Sequence, residues 1–319
     1  MEKRLLGKTG FEITTVGLGT WAIGGWMWGP QDSADSLGAI EAALNSGVNW
    51  LDTAPIYGSG LSEQICGDAL KKIPASRRPF VFTKFGLGDD STLRNSSATS
   101  AQVRSECEAS LRRLGVERID LFQLHWPVSQ PVAETAGACD ELLKAGKIRA
   151  LGVSNFSVAQ MQEWIATGVP LHVLQTPYSL LRPESGRDAL PWCAAHGLGG
   201  LAYSPLFRGM LFGTWTQART FDPGDTRGAH KDYSGPRFVR HLQAIDELKA
   251  LAAQNGMSCA ALCIGALLRT PGLTACIVGA RNAKQGAFVG TLGASIGAQT
   301  HTEVERIVAR LNADLAAMG

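Results

Sequence analysis

Four side chains of complementary acid–base character stand at or just beyond short apolar runs in the first half of the sequence. Asp52 and Tyr57 follow Asn49-Trp50-Leu51, Lys84 follows Phe80-Val81-Phe82, and His125 follows Asp120-Leu121-Phe122-Gln123-Leu124. Singly, each has an ordinary structural reading: Asp52 caps a turn, Lys84 is a solvated charge, His125 is a satisfied core histidine. Together they make a proton-delivery set. An unperturbed tyrosine, with a pKa of about 10, holds its proton too tightly to be an efficient acid at neutral pH. A neighbouring ammonium favours the phenolate and lowers that value. Asp52 can pair with Lys84 and keep it charged, and His125 can donate to a substrate oxygen. The natural recipient of the proton is a carbonyl oxygen becoming an alkoxide, which needs a hydride source beside it. In the second half, Ser154-Asn155, Gln175, Tyr203-Ser204, and Gly279 with Arg281 follow apolar runs in the same way. Tyr203 offers a ring face to a flat cofactor, and Ser154, Asn155 and Gln175 offer the donors and acceptors that hold a carboxamide. Nicotinamide fits that inventory. Two other readings use the same residues. Lys84 at a strand end suits a Schiff-base lyase, and the whole set suits a cofactor-sensing regulatory subunit that works through a partner.

Residues so far apart in sequence converge only if the chain brings strand ends together. Eight β-rich runs, at 15–18, 49–51, 80–82, 120–124, 148–153, 172–174, 199–202 and 275–277, alternate with helical patterns. That alternation predicts an α/β fold, a (β/α)8 TIM barrel in which every strand's carboxyl end emerges on one face. Helices are expected over 36–45, stopping at Ser46-Gly47, and over 100–114, stopping at Gly115. Residues 3–13 read as an N-terminal β-hairpin turning at Lys8-Thr9-Gly10 and closing the barrel bottom, and 301–317 as an extra outer helix. One domain is expected over 1–319. Three connections, 20–33, 84–99 and 206–236, are long, as binding loops often are. The first carries Trp21, Trp26 and Trp28, which with Trp126 predict an aromatic-walled substrate pocket; the competing reading packs these rings between loop and barrel. The last is expected to cover the cofactor, with Gly209, Gly213, Gly224, Gly228 and Gly235 as flexible points and Arg208, Arg219 and Arg227 available to phosphates.

Composition narrows the field. With 30 basic and 28 acidic residues spread along 319 positions, the chain has no basic block for nucleic acid or an anionic membrane. Its longest apolar stretch, 259–268, is about half of the ~20 residues that span a bilayer. The N-terminus meets Lys8 before a signal-peptide core forms, and seven irregularly spaced cysteines without a Cys-x-x-Cys pair suit a reducing compartment, so a cytoplasmic protein is expected. No His-x-His pair or carboxylate cluster at a strand end suggests a metal, and no Gly-x-Gly-x-x-Gly follows the first strand as in a Rossmann fold.

The motifs Leu51-Asp52-Thr53-Ala54-Pro55-Ile56-Tyr57-Gly58, Thr83-Lys84, Asp120-Leu121-Phe122-Gln123-Leu124-His125, Gly152-Val153-Ser154-Asn155-Phe156 and Tyr203-Ser204-Pro205-Leu206 together resemble the aldo-keto reductase superfamily over nearly the whole chain. The resemblance implies a catalytic tetrad of Asp52, Tyr57, Lys84 and His125 with Tyr57 as general acid, and a nicotinamide held by Ser154, Asn155, Gln175 and Tyr203. It extends the expected cofactor contacts to Gly19, Thr20, Trp21, Ser204, Pro205, Leu206, Gly209, Leu211, Gly279, Arg281 and Gln285. The Gly-Ala-Arg at 279–281 and the long loop before residue 236 are similar to bacterial members acting on pyridoxal, small aldehydes or sugar-derived carbonyls. Where relatives often grip adenine with an acidic residue and an asparagine, this chain has Phe288 and Val289. Arg281 offers a planar fork to a 2′-phosphate, with Gln285 four residues on, so NADP(H) is expected over NAD(H). The expected substrate is a small-molecule carbonyl or alcohol.

Overall fold

A strand with a period of two can bury both of its faces, and eight such strands close around one another here. The computed structural model describes residues 1–318 apart from Trp26, 89–96 and 223–224. The strands are β1 (Lys3–Leu5), β2 (Glu12–Thr14), β3 (Val16–Gly19), β4 (Trp50–Asp52), β5 (Phe80–Phe85), β6 (Ile119–Leu124), β7 (Ile148–Ser154), β8 (Val173–Pro177), β9 (Gly199–Tyr203) and β10 (Leu273–Gly279). The last eight form a closed parallel barrel in the order β10-β3-β4-β5-β6-β7-β8-β9, which is the predicted (β/α)8 architecture. Around it run α1 (Ser33–Asn45), α2 (Leu61–Lys71), α3 (Ser100–Leu114), α4 (Val132–Lys144), α5 (Val158–Ala166), α6 (Glu184–Arg187), α7 (Ala189–His196), α8 (Gly235–Gln254), α9 (Cys259–Leu267), α10 (Ala283–Val289) and α11 (Ala298–Ala317).

The helices bury apolar stripes, most of them toward the barrel and α11 against α8 and α9. In α3 the buried positions are Val103, Cys107, Ser110, Leu111 and Leu114, one side of a 3.6-residue helix. That helix starts on a Thr99–Gln102 capping box and stops at Gly115, whose φ of 63° lies in the left-handed region that glycine occupies without strain. The start of α1 lies three residues before the expected Ser36. Asp32 is the cap, its carboxylate accepting from the N–H groups of Ala34 and Asp35, while Ser36 is a helical residue whose hydroxyl donates back to the Asp32 carbonyl.

The barrel interior is layered. Trp50, Phe82, Leu121, Ala150, Val173, Leu201 and Ala275 form its lower, apolar level, one residue from each of seven strands. The β1–β2 hairpin seals this level from below with Leu6, Phe11 and Ile13, as the sequence predicts. Trp50 is fully buried and donates its indole N–H to the Thr14 carbonyl. A Cβ on Gly17 would sit 2.1 Å from the Trp50 ring, so the indole takes the space of a side chain on the neighbouring strand. All seven cysteines are buried free thiols. No single helix among the described residues is long and apolar enough to cross a membrane.

Candidate active site

Two residues further along the same strands, the inward positions become Asp52, Lys84, Gln123, Gly152, Gln175 and Tyr203. This follows from the pleat: successive side chains alternate faces, so Asp52 shares a face with Trp50, Lys84 with Phe82 and Gln123 with Leu121. Lys84 pairs in register with Gln123, and Gln123 with Gly152. Asp52, Lys84, Gln123 and Gln175 are all at most 3% exposed. Polar groups at that depth are stable only if each finds partners.

They do. Lys84 Nζ donates to Asp52 Oδ1 at 2.6 Å, to the Thr53 carbonyl at 3.0 Å and to Tyr57 Oη at 3.4 Å, which uses the three protons of an ammonium. The other carboxylate oxygen, Asp52 Oδ2, accepts from Gln175 Nε2 at 2.8 Å and from Gln123 Nε2 at 3.4 Å, and Gln175 Nε2 also donates to Gln123 Oε1 at 3.2 Å. Asp52 is held by its backbone as well, since its carbonyl accepts from the Thr20 N–H and hydroxyl. His125 lies edge-on to Tyr57, with ring centroids 5.8 Å apart. The four expected members of the tetrad therefore meet.

Electrostatics modify one expectation. Burial pushes the Tyr57 pKa up and Asp52 adds to this; the pull of Lys84 downward is smaller, so the net direction is upward. The expected depression by the ammonium is present as a component but is outweighed by desolvation. Burial pulls Lys84 down, but Asp52 and Tyr57 together outweigh it and leave its pKa raised. Burial, reinforced by the Lys84 charge, holds His125 well below the usual histidine value, so its imidazole is neutral.

Beside this set, Tyr203 Oη donates to Asn155 Oδ1 at 2.8 Å, and Asn155 Nδ2 donates to the His125 carbonyl and to Ser154 Oγ. The Asn155 amide is thus engaged on both sides by the protein, while the Ser154 hydroxyl retains its own proton. Asn155 and Ser204 have φ of 64° and 52°, left-handed values costing non-glycine residues roughly 1–3 kcal/mol each and typical of functional strand ends.

The remaining expected contacts divide by burial. Trp21 stacks against Tyr57 at 6.1 Å between centroids and meets Trp28 edge-on at 5.4 Å, so these two rings and the tetrad share one wall. Trp126, directly after His125, is 46% exposed. Trp26 lies outside the described residues, as does Gly224. Thr20 and Leu211 are fully buried, Thr20 spent on Asp52 and Leu211 packed in the core; Leu206 is 4% exposed and Pro205 is also buried, leaving the more open Ser204 and Gly209 in that segment. Gly19 pairs in register with Gly279 between β3 and β10, where a Cβ on Gly19 would meet Ile277 at 2.6 Å.

The loop after β9 reaches across the mouth. Arg208 lies over Trp21 at 5.6 Å, and Arg227 over Trp28 at 4.8 Å while pairing with Asp225. Arg219 lies over Trp215 and Phe221. Arg281 is tied to the first loop. Its Nε donates to Gln31 Oε1 at 2.7 Å, one terminal nitrogen to the Trp28 carbonyl at 3.1 Å, and the other to the Pro30 carbonyl. Gln285 accepts from the Arg281 N–H through Oε1. A cavity of about 590 Å³ is lined here by Gln31, Asp32, Asp35, Arg281, Asn282 and Gln285. Phe288 meets Phe212 of the loop after β9 at 5.8 Å, and Val289 is buried.

Gln123 is the member of the polar level missed when only residues beyond each apolar run are considered. It lies inside the run 120–124, and counting by two from Leu121 would have found it.

A layered barrel with this polar level at its carboxyl end defines a class of oxidoreductase. The sequence model of the aldo/keto reductase family matches residues 15–295, and the chain belongs to that family, whose members use nicotinamide cofactors and act on small-molecule carbonyls. An aldo-keto reductase of Bacillus subtilis, YhdN, is 40% identical over 89% of this chain and 86% of its own length. An NADH-specific methylglyoxal reductase of Escherichia coli is 34% identical, over 89% of this chain and 91% of its own. Among solved structures, a glycerol dehydrogenase of Gluconobacter oxydans superposes with a TM-score of 0.87 at 38% identity, covering 97% of this chain and 95% of that one.

Proposed function

We propose that the protein reduces aldehyde or ketone groups of small molecules to alcohols, reversibly, with NADPH as hydride source and Tyr57 as general acid. The observation that carries this is the direction of one hydrogen bond. Lys84 has no acceptor capacity, so at Tyr57 it donates, and the phenol oxygen accepts. The phenol's own proton then remains available to a substrate oxygen. Neutral His125 donates a second hydrogen bond to that oxygen, holding the carbonyl against Tyr57.

The residues present fit a nicotinamide. Both amide protons of Gln175 are used within the protein, which leaves its carbonyl oxygen to accept from a carboxamide, while the Ser154 hydroxyl can donate and the half-buried Tyr203 ring offers a face. The bound cofactor would supply hydride to the carbonyl carbon. The proton moves from Tyr57 to the carbonyl oxygen, and Lys84 stabilises the phenolate left behind. In the Schiff-base alternative Lys84 must be neutral, whereas Asp52 and Tyr57 hold it charged.

NADP(H) is taken as the preferred cofactor because Arg281 is the cation of the 590 Å³ cavity and, among the described residues, no carboxylate lies within ion-pairing distance of it. The central test is Tyr57→Phe. Single-turnover reduction of a simple aldehyde should fall by about 10²- to 10⁴-fold, with cofactor affinity little changed. Near-normal turnover would overturn the assignment.

A further inference from the structure

Gln123 has no part in the reading above, yet it sits at the centre of the polar level, fully buried, between the Asp52 carboxylate and the Gln175 amide. The orientation of both amides follows from chemistry. A carboxylate only accepts, so the groups that Gln175 and Gln123 turn to Asp52 Oδ2 are their NH₂ ends. Gln123 then has its carbonyl oxygen left to accept from Gln175 Nε2, which it does at 3.2 Å. The three side chains form a closed triangle of hydrogen bonds. On its far side, Asp52 Oδ1 holds Lys84 at 2.6 Å, and Lys84 in turn holds Tyr57. The neighbouring strand makes room for the arrangement. A Cβ on Gly152 would fall 2.9 Å from Gln123 Cγ and 3.2 Å from the Val173 carbonyl, so a side chain there would crowd this glutamine.

We infer that Gln123 is a positioning residue for the proton-delivery chain: with Gln175 it aims Asp52 at Lys84, and it locks Gln175 so that the carboxamide site and the Asp52–Lys84–Tyr57 chain are one hydrogen-bonded unit. This rests on the proposed role of Tyr57. Without Gln123, Asp52 loses one direct donor and the restraint on the other, so its carboxylate is no longer fixed 2.6 Å from Lys84 Nζ, and its pull on the ammonium weakens as that separation grows. Lys84 then gives up its charge at lower pH, and with it the stabilisation of the phenolate.

The test is Gln123→Met, which keeps length and apolar packing but removes both the donor and the acceptor. Single-turnover reduction of a simple aldehyde by the NADPH-loaded enzyme is followed from pH 6 to pH 11, with Tyr57→Phe in parallel. The rate should fall by about 10- to 100-fold, the scale of a lost hydrogen bond to a charged group, and the alkaline limb should move to lower pH. Gly152→Ala, which crowds Gln123 without altering a polar group, should move the limb in the same direction by less, and it decides the matter if Gln123→Met does not fold. An unmoved limb overturns the inference, whatever the rate, because a purely structural role would leave it in place. If Tyr57→Phe retains turnover, the reading of Tyr57 fails; if Tyr57→Phe is inactive and Gln123→Met has a normal rate and limb, the inference alone fails.

Discussion

The two levels of the barrel interior are built by the same strands, two residues apart, and do opposite things. Below, Trp50, Phe82, Leu121, Val173 and Leu201 fill the bore with apolar volume and the hairpin seals it. Above, Asp52, Lys84, Gln123 and Gln175 place an ion pair and two amides at equal depth. The lower level is stabilised by burial and close packing. The upper one carries the desolvation of two charges, offset by the partners they find. A register that repeats every two residues lets one strand anchor the fold and carry chemistry without a change of backbone, and a single-residue slip would turn both levels outward together.

The contrast breaks first, and hardest, at Trp50. Trp50→Ala should cost about 3–5 kcal/mol of stability, the range for deleting a large aromatic from a packed core, and it also leaves the Thr14 carbonyl without its donor. Tyr57→Phe, by contrast, should leave the melting temperature nearly unchanged while removing turnover. Chemical denaturation of both variants checks this. A Trp50→Ala protein as stable as the parent, or a Tyr57→Phe protein several kcal/mol weaker, would mean that the two levels do not divide the labour as described.

How far each level was legible in the sequence follows from the same geometry. All eight barrel strands are visible as apolar runs because buried parallel strands are apolar on both faces. Asp52, Lys84, His125 and Gln175 stand out because polarity interrupts apolarity where each run ends. Gln123 does not, since the outward-facing Phe122 and Leu124 flank it and mask it. α1 begins three residues before the expected 36 because Asp32 caps it, which only the hydrogen bonds of its carboxylate reveal. The net rise of the Tyr57 pKa was not legible at all: the sequence shows the Lys84 charge, whereas the opposing desolvation exists only once the barrel closes. Nor does sequence show that the Arg281 fork would be turned onto the Trp28 and Pro30 carbonyls.

That Arg281 geometry sharpens the comparison at a third region, the loops above the polar level. Its guanidinium shares the cavity with Asp32 and Asp35, so the local field is mixed, and Asp32 spends Oδ1 on the α1 N–H groups. A charge-assisted contact from Arg281 to a 2′-phosphate is worth about 1.5–3 kcal/mol, or roughly ten- to over a hundred-fold in discrimination. Arg281→Ala should therefore weaken NADPH far more than NADH, and Asp35→Asn should strengthen NADPH relative to NADH by relieving repulsion. Dissociation constants from quenching of tryptophan fluorescence would show both. A ratio unchanged by Arg281→Ala would remove this arginine from the phosphate site and leave it as the tie between the first loop and β10.

The smallest expected effect concerns protons that the polar level does not take up. In the folded protein His125 has its pKa held well below the usual 6.5, first by burial and then by Lys84. The unfolded chain returns it to about 6.5. At pH below that value the unfolded state binds a proton that the folded state refuses, so stability is full above about 6.5 and declines as the pH falls toward the folded value. The limiting slope for one such group is about 1.4 kcal/mol per pH unit. Activity should behave differently. On the proposed mechanism Tyr57 acts protonated and His125 as a neutral donor, and with Tyr57 raised and His125 lowered neither changes state between pH 7 and pH 9. Urea unfolding at pH 5.5 and pH 7.5, compared between the parent and His125→Asn, isolates this contribution: the variant should lose part of the acid-side slope. Identical slopes in the two proteins would show that His125 accepts its proton as readily folded as unfolded, and that the imidazole edge-on to Tyr57 is not held neutral by desolvation.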